Sequence, residues 1–117
     1  MITPSFSQEI TSLHANLCSA LADSNRILIL YALNEKPCTV NELAEIVGIN
    51  QSAASRHLSL LRERGLVLAQ RDGQTVVNSL ADERVIQALD LLRMILKDSL
   101  KNRAALIEIE TPEETAE

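Results

Sequence analysis

Two groups of side chains in this chain of 117 residues have the types and spacing that chemistry needs. The first is Gln51, Ser52, Ser55, Arg56 and Ser59, which share one side of a helix at 3.6 residues per turn. Gln and Arg make paired hydrogen bonds to base edges, and small hydroxyls let a helix backbone approach a partner closely. Such a face suits contact with a nucleic acid and not the breaking of bonds; the ordinary reading beside it is a solvated helix face. The second group is His14, Cys18 and Cys38. His14 and Cys18 are four apart, so on a helix they share a face, a spacing that chelates a soft or borderline metal. The ordinary reading stands beside it: Cys18 as a small core hydrophobe and Cys38 as a turn residue. The sequence has no Gly-rich phosphate loop, no nucleophile with a base and an orienter, and no three-ligand catalytic metal set, so it is not read as an enzyme.

The elements that would position the first group are marked by local signals. Thr39 and Glu42 have the capping-box spacing. Leu43, Ile46 and Val47 give the helix that follows an apolar face, and Gly48 supplies its left-handed stop. Asn50 caps the next helix, read as Gln51 to Glu63, whose Ala54, Leu58 and Leu61 recur at i, i+4 and i+7 before Gly65 closes it. His57 lies on that inner face and reads as a hydrogen-bonded structural histidine, and Arg62 as a structural ion-pair partner. After Gly65 the period changes. Leu66 to Arg71 and Thr75 to Leu80 are β-prone runs around an Asp72-Gly73 hairpin signal, with Val76, Asn78 and Leu80 on one face and Thr75, Val77 and Ser79 on the other. The hairpin sits where a wing would be. Arg64, Arg71 and Gln74 flank the groove or lie on that wing, in reach of phosphate or the minor groove.

Around this centre the pattern is helical. Ser5 and Gln8 have capping-box spacing, and Phe6, Ile10, Leu13, Leu17 and Leu21 mark a first helix. Asp23 or Ser24 caps a second, apolar on nearly all sides through Ile27, Leu28, Leu30, Tyr31 and Leu33, which belongs at the centre of a core. Asn34 to Pro37 turns into the Thr39 helix. Asp82 and Glu83 open the last helix, with one stripe of Val85, Leu89, Leu92, Leu96 and Leu100 and a second of Ala88, Leu91 and Ile95. One stripe can cover the core; the spare stripe suits pairing with a second copy, and the first helix can join it. The expected fold is mainly α with a β-hairpin, in the order α-α-α-α-β-β-α. Residues 1–107 are expected to form one domain, and 108–117 an acidic, disordered tail.

Composition narrows the class. Aromatics at 2% against 46% hydrophobic residues force a core of Leu, Ile, Val and Ala, which favours packed helices. The net charge of −5 argues against a nucleic-acid partner only until its distribution is read. Glu108, Glu110, Glu113, Glu114 and Glu117 account for all of it. Between Asn50 and Leu80, Arg56, Arg62, Arg64 and Arg71 outnumber Glu63 and Asp72, and phosphate contact needs only a local basic patch. No apolar run approaches the roughly 18 residues of a membrane span, and the N-terminus lacks a signal pattern, so a cytoplasmic protein with reduced cysteines is expected.

The runs LADSNRILIL, NELAEIVGINQSAASRHLSLLRERGLV and RDGQTVVNSL closely resemble the ArsR/SmtB family of winged-helix bacterial repressors, over roughly residues 13 to 100. The resemblance implies a homodimer, joined through its first and last helices, that binds operator DNA and leaves it when an inducer binds. It implies a reading helix at 51–63, a wing around 71–74 and double-stranded DNA as partner. Arsenite-sensing members often carry a C-x-C pair at the start of the third helix, where this chain has Thr39 and Asn41. Zinc- and nickel-type members use Asp and His ligands on the last helix, which here has no histidine. Neither usual metal site is in the sequence.

Cys18 and Cys38, with His14, remain as the candidate sensor. If the first helix of one copy approaches Cys38 of another, two thiolates can hold an arsenical, or form a disulfide at a Cα separation within about 7 Å. Arsenite itself wants a third sulfur, which favours a redox or organoarsenical signal. The alternatives are a winged helix used only for protein–protein contact and a regulator with no metal or thiol sensing.

Overall fold

The computed structural model describes the backbone of residues 1–110 and the side chains of residues 1–106. The acidic tail read at 108–117 therefore lies outside the described residues, apart from helical backbone as far as Glu110. The chain falls into two units, Met1–Glu83 and the helix that begins at Arg84.

The first unit opens with α1, Pro4–Leu13. Its cap differs from the expected one. Thr3, not Ser5, is the N-cap, its Oγ1 accepting from the Phe6 N–H at 3.1 Å. Pro4 decides this, because its fixed φ suits the first helical position and it has no N–H to satisfy. At His14–Cys18 the helix widens into a π turn, and it ends before Leu21. Phe6, Ile10 and Leu13 are all more than two-fifths exposed, so the apolar stripe of α1 is uncovered in the single chain.

Helix α2, Ser24–Glu35, is capped by Asp23, which accepts from the Asn25 N–H at 2.8 Å. It buries Ile29, Leu30, Ala32 and Leu33, as a central helix should, but leaves Leu28 half exposed. Helix α3, Val40–Val47, carries the complete capping box. Glu42 N–H donates to Thr39 Oγ1 at 3.2 Å, and Thr39 N–H donates to Glu42 Oε1 at 2.8 Å. Leu43 and Ala44 are the residues it buries, whereas Ile46 is 59% exposed. Gly48 ends the helix at φ 82°, a left-handed position that a side chain would strain.

Asn50 caps α4, Gln51–Glu63, accepting from the Ala53 N–H at 2.8 Å. Ala54, Leu58 and Leu61 are its buried residues, as their period required. The hairpin follows as β1, Val67–Asp72, and β2, Thr75–Leu80, antiparallel with Val67 opposite Leu80 and Asp72 opposite Thr75. Asp72 therefore belongs to the strand, and Gly73 and Gln74 make the two-residue turn. Gly73 has φ 68° and Gln74 has a negative φ, the signs of a type II′ turn. Cys38 adds a one-residue bridge to β2 at Asn78.

The second unit is α5, Arg84–Glu110. Ile86 and Leu89 in its first turns are buried. From Leu91 onward both apolar stripes are exposed, with Leu91, Leu92, Ile95, Leu96 and Leu100 all above one half. Ile86, outside both expected stripes, is with Leu89 one of the two buried positions among the described residues of this helix. No described helix is long and apolar enough to cross a membrane.

Candidate nucleic-acid interface

Burial on one side of α4 determines what the other side presents. With Ala54, Leu58 and Leu61 turned inward, Gln51, Ser52, Ser55, Arg56 and Ser59 are all exposed. Gln51, Ser52, Ser55 and Arg56 line a single shallow depression on the surface. The structure thus brings together the four residues read from sequence as the contact face. Ser59 lies a turn further on, where its Oγ accepts from Arg62 Nη2 at 3.2 Å. Arg71 and Gln74 are exposed on the hairpin, and Arg71 shares a second depression with Gln70, Asp72 and Val77.

Among the described residues Arg62 has no carboxylate partner, and its ion-pair reading is replaced by neutral contacts. Nη1 donates to Asn78 Oδ1 at 3.5 Å and Nη2 to Ser59. Arg64 has turned to a different task. Its Nη1 donates to the carbonyl of Ala15 at 2.6 Å and lies 3.5 Å from that of Asn16 and 3.4 Å from Ser19 Oγ. These are carbonyls that the end of a helix leaves without backbone partners, and a guanidinium satisfies several at once.

His57 is half-buried, its side chain 17% exposed, as expected of a structural histidine, and its partners come from the start of α2. Nδ1 lies 3.4 Å from Arg26 Nη1, and Nε2 lies 4.0 Å from Asp23 Oδ1. Partial desolvation pushes the Asp23 carboxyl up, but the Asn25 N–H and the His57 and Arg26 charges outweigh it and hold it below its ordinary range. Arg26 also donates to the Ala20 carbonyl at 2.6 Å and the Ser19 carbonyl at 3.2 Å. Arg26 and Arg64 together hold the π turn and the segment after it. Sequence reasoning missed both roles, since the partners of Arg64 lie 45 to 49 residues away.

The candidate sensor residues fall in different surroundings. His14 and Cys18 are exposed at the two ends of the π turn, so Cys18 is not a core residue. Cys38 is 1% exposed and donates from Sγ to the Lys36 carbonyl at 3.3 Å. Burial, with the nearby Glu42 charge, pushes its thiol up. Among the described residues, no three His, Cys, Asp or Glu side chains converge on a point that could hold a metal ion.

Residues 23–68 match the family described as bacterial regulatory protein, arsR family. The transcriptional regulator NmtR of Mycobacterium tuberculosis is 45% identical over 76 residues, 65% of this chain and 63% of its own length. The chain thus spans just under two thirds of that relative. The nodulation protein NolR of Rhizobium meliloti is 39% identical over 95 residues, 81% of this chain and 78% of NolR. The chain belongs to the ArsR family of bacterial regulatory proteins. Its architecture agrees. The solution structure of the homodimeric winged helix-turn-helix DNA-binding domain Mb0332 from Mycobacterium bovis superposes with a TM-score of 0.73 at 27% identity, covering 86% of this chain and 93% of that one. In this ArsR-family regulator, α3 and α4 are accordingly the helix-turn-helix, and β1 and β2 are the wing.

Proposed function

We propose that this protein is a homodimeric repressor that binds a palindromic operator in the cytoplasm and is released from it by an inducer. The observation that carries the reading is the exposed face of Gln51, Ser52, Ser55 and Arg56, set opposite the buried Ala54, Leu58 and Leu61 of the same helix. A helix fixed by its inner face and polar on its outer one can enter a major groove and hydrogen-bond base edges. Arg71 and Gln74 on the wing would meet the flanking backbone or minor groove. Ser59 and Arg64 have protein partners, so their share in DNA contact is secondary in this reading.

Homodimerisation through the first and last helices is supported by their uncovered apolar residues, Phe6, Ile10 and Leu13 on α1 and Leu92, Ile95, Leu96 and Leu100 on α5. In a dimer the two α4 helices would enter successive major grooves about 34–36 Å apart. The inducer, in this reading, is a thiol-reactive signal, an oxidant or an arsenical, taken at Cys18 with His14 beside it. Cys18 is the accessible thiol; Cys38 would have to be uncovered first. That burial favours, as a second reading, a regulator with no thiol sensing.

The test is a random-site selection with the reduced protein, followed by fluorescence anisotropy on the recovered duplex and a scrambled one. Selective binding that weakens steeply with salt supports the repressor; failure to enrich any sequence would remove it.

A further inference from the structure

One cleft of the first unit touches the reading face yet takes no part in it. It runs between α4 and the wing, with a volume of about 190 Å³, and is lined by Val40, Ser55, Leu58, Arg62, Val76 and Asn78. Ser55 lines this cleft and also the depression of the reading face, so the two are neighbours on the surface. Arg62 is exposed there. Its fork is held from both sides, by Ser59 on its own helix at 3.2 Å and by the buried Asn78 of β2 at 3.5 Å. Both holding atoms are neutral oxygens, so the guanidinium charge at the mouth of the cleft is not cancelled by either. A guanidinium has five N–H donors, and these contacts leave several of them for a further acceptor.

We infer that Arg62 is a DNA-backbone clamp: a phosphate of the strand passing between the reading helix and the wing docks on its fork. The inference rests on the operator-binding reading above and deepens it. A duplex laid on Gln51, Ser52, Ser55 and Arg56 covers the mouth of the adjoining cleft, which brings a backbone strand over Arg62. Ser59 and Asn78 fix the plane of the fork in advance, so little side-chain freedom is lost when the phosphate arrives. Because Asn78 belongs to β2, the same residue sets the wing and the clamp in register. The contact is to phosphate, so it adds affinity without adding sequence preference.

The experiment is the dependence of DNA affinity on salt for wild type and Arg62→Gln, on the selected duplex and on a scrambled one. With one clamp per protomer, a dimer loses two phosphate contacts, and the slope of log affinity against log salt becomes shallower by about 1.8. Affinity falls on both duplexes, and their ratio stays the same. A wild-type slope in Arg62→Gln overturns the clamp, even if binding is weaker, because Arg62 would then only support the fold. A fall confined to the selected duplex also overturns it, since Arg62 would then be reading bases. If Arg62→Gln does not fold, Arg62→Met refills the cleft with an unbranched apolar chain and decides by the same slope. Failure of wild type to select any sequence would count against the operator reading itself, a different result from either.

Discussion

Cys38 and Asn78, forty residues apart, form a closed antiparallel bridge. The Cys38 N–H donates to the Asn78 carbonyl at 3.0 Å, and the Asn78 N–H donates back at 2.8 Å. The Asn78 side chain adds a third bond, Nδ2 to the Cys38 carbonyl at 3.2 Å, while its Oδ1 accepts from Arg62. The segment entering α3 is thereby tied to the second strand of the wing, and the wing to the reading helix. Asn78 is 2% exposed, so its amide relies on these partners in place of water. Asn78→Ala should lower stability by about 1–3 kcal/mol in urea unfolding, through lost hydrogen bonds and a small cavity. A change within about 0.5 kcal/mol, the range of an ordinary surface substitution, would mean that the backbone pair alone carries the bridge.

The same bridge protects the Cys38 thiol. It is buried, already donating to Lys36, and pushed up by burial, all of which lower the thiolate population that reacts. Cys18 is exposed. A disulfide-exchange reagent should modify Cys18 promptly in the folded protein and Cys38 only after denaturant is added. Measured on the single variants, a Cys18→Ser protein should stay nearly unreactive until it unfolds. Prompt reaction of that variant would show that the α3 entry opens readily, and would restore Cys38 to the sensor. Cys18→Ser should also abolish any thiol-dependent release from DNA.

What was legible in the sequence was local. The Thr39–Glu42 box, the Gly48 stop, the Asn50 cap and the Ala54, Leu58 and Leu61 period each act within one or two turns, and each stands where it was read. The exposed polar face of Gln51, Ser52, Ser55 and Arg56 followed, because the outer side of a helix is fixed once its inner side is known. At Thr3 and Ser5 two local signals competed, and Pro4 settled them in favour of Thr3. The π turn at His14–Cys18 has no local signature. Its surroundings are set by Arg26 and Arg64, whose contacts close only when α2 and α4 have packed. Asn78 was placed on a face of its strand, but nothing near it in sequence announced Cys38. Of the missed contacts, those of Arg64 and Asn78 span 49 and 40 residues, whereas Arg26 reaches back only six and seven, past the cap of its own helix.

Glu42 makes stability depend on acid. The Thr39 backbone N–H, and then its hydroxyl, hold the Glu42 carboxyl below its ordinary 4.5. A carboxyl lowered by folding stabilises the fold when ionised, so its contribution is complete above about 4.5 and is lost as pH falls through the lowered folded value. Thermal melts of wild type and Glu42→Gln should therefore differ near pH 7 and converge as pH is brought well below 4.5. A gap of constant size across that range would place the contribution in packing and not in the charge.

Arg56 is exposed on the polar face of α4 and makes no hydrogen bond or ion pair with the described residues, so its removal should leave the fold alone. Arg56→Ala should weaken operator binding by about 1–3 kcal/mol if it reads a base, with relaxed preference at one position of each half-site. Circular dichroism and molar mass in solution should match the wild type. Unaltered affinity would take Arg56 out of the interface and move the reading to Gln51 and the serines.

Arg64 separates two roles that the sequence left together, DNA contact and structural support. Its Nη1 gathers the Ala15 carbonyl, the Asn16 carbonyl and Ser19 Oγ, joining the C-cap of α4 to the segment that carries Cys18. Hydrogen bonds from a charged donor contribute about 1.5–3 kcal/mol, so Arg64→Ala should destabilise the protein by an amount in that range. It should also speed amide exchange at Leu21 and Ala22, whose N–H groups bond to carbonyls within the held segment. DNA affinity at a temperature where the variant is fully folded then tells the roles apart. A structural Arg64 leaves the salt slope of binding unchanged, whereas a phosphate contact makes it shallower. If stability and exchange are both unmoved while the slope falls, the carbonyl contacts are incidental and Arg64 belongs to the DNA interface.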